Sequence, residues 1–283
     1  MPAHSESLTI VEHFRAHQRA IARAATDRVQ ILWNGTVIVK PGARPDRAAL
    51  ARKIDTFARS AADVVTAGQL AAAHSANQFV AAYAASELQR PVAPVDLDPR
   101  EFTGPHLTDA DAPLAAVLAA SAMRVVVSVL RRGPSDGDPL RAGERMATRL
   151  ALNETLEAGR AAVEAIGHDH EIDGHRTFSG WTRGVTATGC PACISLADGT
   201  VLSWNTTMLD HPRCSCVQIP AVGDLPDRYP VPTGRQLFDQ LSIEQQDRIY
   251  GIERAAAVRA GAALDFADES HGHIVPAAQG SYP

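Results

Sequence analysis

All four cysteines of the 283-residue chain fall between Cys190 and Cys216, and a histidine stands beside the second pair. They form two hooks. The first is Cys190-Pro191-Ala192-Cys193; after seventeen residues comes His211-Pro212-Arg213-Cys214-Ser215-Cys216. Thiolate and imidazole are soft or borderline donors, and a C-x2-C turn closed by a second short hook is a common start for a tetrahedral zinc site. Cys190, Cys193, His211, Cys214 and Cys216 are therefore five candidate ligands for a structural zinc that usually takes four. The spacing does not say which one is spare. Cys214 and Cys216 would share a face in a regular strand, yet both need not reach the ion. Free thiols or a disulfide, and a catalytic metal, are the competing readings.

A catalytic zinc keeps one position open, with a general base close to it. The deaminase arrangement pairs H-x-E with P-C-x-x-C. Here His170 is followed directly by Glu171, and Pro191 lies inside the hook rather than before it. Asp210-His211 invites comparison with an HNH-type nuclease, but the order of parts is wrong. His168, His170 and His175 read as a polar loop, because Asp173-Gly174 marks a turn and no cysteine joins them. Glu154, Asp169 and Glu171 read as solvated acids. With no phosphate loop, nucleophile elbow or paired carboxylates in the sequence, the chain is expected not to be an enzyme.

The elements that must present the hooks are mostly helical. Glu12 to Trp33 has apolar residues at near-helical spacing, and Asn34-Gly35 is expected to end that helix. Thr36 to Val39 reads as a short strand or extended connector, Pro41-Gly42 and Pro45-Asp46 as turns, and Asp46 as the N-cap of the next segment. Arg47 to Gln89 is nearly all helix formers, with Gly68 and Ser75–Asn77 as candidate breaks. Arg90 to Asp111 is a proline-rich connector. A further helix runs from Ala112 to Arg132, capped by the Thr108, Asp109 and Asp111 cluster and ended by Gly133-Pro134. Past the Ser135–Asp138 loop, Pro139 opens a helix that reaches Gly167. Beyond it, Arg176–Thr182, Thr200–Trp204 and Cys216–Ile219 read as short strands around the hooks. A proline-rich exit from Gly223 to Thr233 leads to short amphipathic helices at Gln236–Tyr250 and Glu253–Gly261, then a solvated tail.

The expected class is thus predominantly α-helical α+β. Residues 1–140 form a helical region, 141–232 a small mixed module around the Cys/His hook, and 233–283 a helical tail. A formal net charge of −5 argues against a surface built mainly to coat nucleic acid. Only Lys40 and Lys53 are lysines, so arginine supplies nearly all of the 27 basic residues. The N-terminal residues lack the apolar core of a signal peptide, and no window reaches the roughly 18 apolar residues of a membrane span. A reducing cytosol is the expected place of synthesis, and there clustered cysteines favour metal over disulfides.

The order C-P-x-C-x-x-L-x-x-G, a spacer, then H-P-x-C-x-C and an apolar–Pro ending resembles the C-terminal motif of phage minor head proteins, the Mu F-like family. Here it is carried by Cys190, Pro191, Cys193, Leu196, Gly199, His211, Pro212, Cys214, Cys216 and Pro220. Arg149–Thr155 with Gly159-Arg160, Gly180–Arg183, and the downstream Leu237–Ser242, Gln246–Gly251 and Arg259–Gly261 are also similar to that family. Val65–Gln69 and Phe102–Pro105 resemble the N-terminal half of minor capsid proteins of the actinophage type. The resemblance implies a structural protein of the virion. It would be made in the host cytoplasm and carried inside the head near the portal protein, with the major capsid protein, a scaffold and packaged DNA as further neighbours and no membrane. A zinc-dependent nucleic-acid enzyme and a non-viral zinc-ribbon adaptor are the alternatives. Relatives that replace the first hook leave metal binding to rest on this chain's own residues.

Overall fold

The two longest runs of helix formers become the two longest helices, and both extend further than local signals indicate. The computed structural model describes residues 2–37, 46–106, 112–132, 138–172, 174–208, 214, 216–223 and 229–264. Helix α1 spans Pro2–Thr36 and α2 spans Arg47–Leu88. The first starts ten residues earlier than its apolar periodicity implies, because Ser7 and Val11 are buried and the Ser7 hydroxyl donates to Ser86 Oγ at 2.9 Å. It also runs through Asn34-Gly35, where a break was expected; an interior glycine costs a helix only about 1 kcal/mol. Helix α2 is likewise continuous. Its Gly68 lies against Thr155 and Ala25, where a larger side chain would crowd the packing. Asp46 caps α2 as expected, accepting from the backbone N–H groups of Ala48 and Ala49.

A short 3-10 turn at Pro99–Phe102 interrupts the connector before α3 (Leu114–Arg132) and α4 (Pro139–Asp169). Asp138 caps α4 through the backbone N–H of Leu140 at 2.9 Å, with Pro139 in the first turn. Strands β1 (Glu171–Ile172) and β2 (His175–Arg176) form a minimal antiparallel hairpin. Strand β3 (Phe178–Gly184) pairs antiparallel with β4 (Val217–Val222). Between them lies α5 (Pro191–Ser195), and after them α6 (Gly234–Asp239), α7 (Ile243–Tyr250) and α8 (Ile252–Arg259). The described residues are therefore predominantly helical with two small antiparallel sheets, the α+β class expected from the sequence. The Thr200–Trp204 segment forms isolated bridges rather than a strand, among them Leu202 to Trp181. No described helix is long and apolar enough to cross a membrane. The expected features at Ile38–Pro45, Thr108–Asp111, Gly133–Gly137 and the tail past residue 264, and His211 itself, lie outside the described residues.

The chain forms two compact units. One unit takes described residues from Ala16–Asn77 and Asp96–Ala162; the other takes them from Met1–Arg15, Gln78–Val95 and Val163–Pro283. Helices α1, α2 and α4 each supply residues to both, since packing partners are set by helix faces rather than by chain order. The first unit is held by an apolar cluster that includes Val29, Trp33, Ile54, Phe57, Leu118 and Val126. Trp33 meets Phe57 edge-on at 4.9 Å.

Two buried polar side chains tie the connector into this same unit. Gln69 accepts from the Gly104 N–H at 3.0 Å and donates to the Gly104 carbonyl at 2.6 Å. Glu154 is fully buried and accepts from the His106 backbone N–H at 2.6 Å. That corrects its reading as a solvated acid: a carboxylate on the inner face of α4 satisfies a loop amide that no regular element serves. Trp33→Ala should cost about 3–5 kcal/mol of stability, as expected for a fully buried tryptophan. Chemical denaturation followed by circular dichroism will measure it; a loss under 1 kcal/mol would mean that this cluster does not carry the helical unit.

Candidate metal centre

Proline at the first helical position pre-sets the turn that holds the first hook. Cys190 is the N-cap of α5, Pro191 is its first residue, and the Ile194 N–H donates to the Cys190 carbonyl at 3.0 Å. Cys190 and Cys193 stand three apart on this short helix and so face the same way. Cys193 is buried and Cys190 half-buried. The second pair enters β4: Cys214 and Cys216 are both buried and directly precede Val217, which pairs with Gly184 of β3.

The far side of α5 is apolar. Ile194 and Ala197 pack with Leu237 and Phe238 of α6, Leu241 just after it, Tyr250 of α7, and Ala255 and Val258 of α8. Gly234 opens α6 with its N–H donating to the Ala197 carbonyl at 2.5 Å, and a β-carbon there would run into the Ile194 carbonyl oxygen. The residues expected to form a separate helical tail are thus the backing of the hook. Thr233 and Ser242 start α6 and α7 with reciprocal capping boxes, which makes these short helices definite.

The sulfurs of Cys193, Cys214 and Cys216 all lie within 4.8 Å of one another. Cys193 Sγ is 3.4 Å from Cys214 Sγ, and Cys214 Sγ is 3.1 Å from Cys216 Sγ. A disulfide would bring two sulfurs to about 2.05 Å. A tetrahedral ion with sulfur ligands at about 2.3 Å would hold them about 3.8 Å apart. Both spacings lie well beyond a bond and somewhat inside that of an occupied shell, and none of the four cysteines is in a disulfide. Cys193 is the hub: it is hydrogen-bonded to Cys190 as well as to Cys214 and Cys216.

Packing sulfurs this closely makes their ionisation costly. Cys193 is driven far above the ordinary thiol range, first by its hydrogen bond with Cys190, then by those with Cys214 and Cys216 and by burial. For Cys216 the bond from Cys193 favours the thiolate, but Cys214 and burial outweigh it and push the group up to about 12. Arg183, on β3 beside it, pulls the other way by its positive charge. A divalent cation would replace the protons and supply the missing counter-charge, so the donor set fits a metal ion. Three buried cysteines close enough to bind one are what the structure brings together. Cys190 stands next to them through Cys193, and His211 lies outside the described residues.

The histidine trio does not converge. His168 contacts its neighbour Asp169; His170 is buried against Phe178, with Nδ1 2.8 Å from Thr177 Oγ1; His175 is exposed in β2. Burial lowers the His170 pKa, which keeps its ring neutral in the packed loop. Arg183 is the site residue that reasoning from motifs missed. Its place beside Cys216 depends on the β3–β4 register, in which Arg183 pairs with Gln218, two residues beyond Cys216. Comparisons with protein-family models, with curated proteins and with solved structures find no match for this chain.

Cys193→Ser removes the hub and should abolish stoichiometric metal binding, read by elemental analysis of the purified protein. A variant that keeps its full metal content would refute the assignment. The raised Cys216 also sets a pH signature. A thiol with folded pKa above its unfolded value adds stability below the unfolded pKa and loses it as pH rises. Metal-stripped protein should therefore weaken between the ordinary thiol value of 9.0 and about 12, while metal-loaded protein, whose thiolates are already ionised, should not. Parallel thermal melts across that range will show whether the two forms diverge.

Proposed function

We propose that this chain is a structural minor head protein of a tailed bacteriophage, made in the host cytoplasm and carried inside the capsid at or near the portal. One observation carries the reading. The two hooks occur in the order and setting that resemble the Mu F-like motif, and their cysteines meet in a buried cluster rather than on an open surface. The portal protein is the proposed main partner, with the major capsid protein or a scaffold and the packaged DNA as neighbours.

The proposed ion is zinc, held structurally by Cys190, Cys193, Cys214 and Cys216, with His211 as the spare candidate. Zinc accepts four sulfurs in a tetrahedron and brings no redox chemistry, which suits a role in holding elements together. A structural zinc contributes about 10–16 kcal/mol in small zinc-finger peptides. That exceeds what a two-stranded sheet and a one-turn helix gain from packing by themselves. The protein's task in this reading is assembly, and no catalytic step is assigned to it.

Purified particles of the phage that encodes the chain should contain it in a few copies, detectable by mass spectrometry. Particles that lack it altogether would overturn the virion reading and leave the zinc-ribbon adaptor or the nucleic-acid enzyme. The isolated protein should hold one equivalent of zinc, and Cys190→Ser should weaken it strongly. Full zinc retention in that variant would pass the fourth position to His211.

A further inference from the structure

Helix α3 has one apolar face in the core and another outside it. Leu114, Leu118, Ala122 and Val126 are buried in the helical unit's cluster. A second stripe, Ala120, Met123, Val127 and Leu130, follows helical spacing along a different side. Ala120 is exposed, Met123 and Val127 are half-buried, and Leu130 is 44% exposed. Ala120, Met123 and Val127 of this stripe, together with the start of α2, floor an open groove of about 580 Å³.

Three guanidiniums line that groove: Arg124 and Arg131 from α3, and Arg47 from the first turn of α2. All three are exposed, and none is held in an ion pair among the described residues. Helix α3 carries no acidic residue at all. The acid next to Arg47, Asp46, is engaged in capping α2 through Ala48 and Ala49. In a chain of net charge −5, the groove is a local concentration of unneutralised positive charge around an aliphatic floor.

We infer that this groove binds an acidic amphipathic helix of a partner protein, with the partner's apolar stripe on Met123 and Val127 and its carboxylates on Arg47, Arg124 and Arg131. Charge complementarity selects the occupant. Arg124 and Arg131 stand two turns apart, about 10 Å along the axis, so they match carboxylates at the same separation on a helix lying alongside. The floor selects against nucleic acid: phosphates need no apolar surface, and the groove offers no aromatic ring on which a base can stack. A half-exposed methionine between aliphatic neighbours is the adaptable kind of surface on which amphipathic helices settle. The inference concerns the helical unit alone and stands whether or not the metal centre or the virion reading holds.

The test uses the full-length protein and fluorescence anisotropy with three labelled probes. These are a helix-forming peptide with an apolar stripe flanked by glutamates two turns apart, the same peptide with lysines in place of the glutamates, and a short DNA duplex. The glutamate peptide should bind, and the lysine peptide should not. Arg124→Glu with Arg131→Glu should weaken the glutamate peptide by about tenfold or more, because opposed charges set the specificity of such a contact. These side chains are exposed, so the unfolding midpoint should stay unchanged; should the double variant fold poorly, Arg124→Gln with Arg131→Gln serves instead. Binding of the lysine peptide by the charge-reversed protein would be the strongest support. Equal binding of both peptides, no binding of either, or arginine-dependent binding of the duplex alone would each overturn the inference.

Discussion

Three buried thiols crowded around one point, with a fourth beside them, cannot all ionise, and cannot be left without a counter-charge when they do. The unit that contains the hooks is arranged around this constraint. Cys193 sits at the hub, bonded to the other three sulfurs, and two of those belong to the segment entering β4. The cluster therefore ties a one-turn helix to a strand across a long stretch of sequence. Neither element is stable alone: a five-residue helix lies below the length at which helices persist, and two paired strands are marginal in water. Sulfur on one side of α5 and Ile194 with its apolar neighbours on the other give that short helix two anchors.

The helical unit rests on different physics. Its stability comes from interlocked side chains on long helices, among them Trp33 and Phe57 in edge-on contact. Alanines at many contact positions let the helices approach closely, which accounts for a chain with only 5% aromatic residues still burying a continuous core. Buried polar groups there serve the backbone. Gln69 and Glu154 hold the 104–106 stretch of the connector by its amides and a carbonyl, so the proline-rich segment is placed by side chains of two different helices. Val65–Gln69 and Phe102–Pro105, far apart in the chain, meet through that contact.

In the proposed role the metal is a fastening, and the division of labour follows from it. A module with little regular structure is made rigid by one ion, while the helical unit keeps an arginine-lined face with no partner of its own among the described residues. An assembly protein needs both: a part that holds its shape and a surface that recognises another chain. The neutral, buried His170 and the Arg183 charge beside Cys216 belong to the first task.

Much of this was legible in the residues alone. Apolar spacing located the long helices, proline and aspartate located the starts of α2 and α4, and cysteine spacing located the centre, because each of these signals is local. Helix ends were less legible. Helix α1 begins early because Ser7 and Val11 find burial, and it passes Gly35 because a single glycine is a small cost in a long, packed helix. Which residues back the hook, that Arg183 stands by Cys216, and that Glu154 is buried were decided by tertiary structure alone. Each of these depends on which faces of distant segments meet, and a local pattern contains no information about a partner many residues away. The sequence by itself determined that cysteines would gather; only the fold decided that Cys193 is the one to which the others are joined.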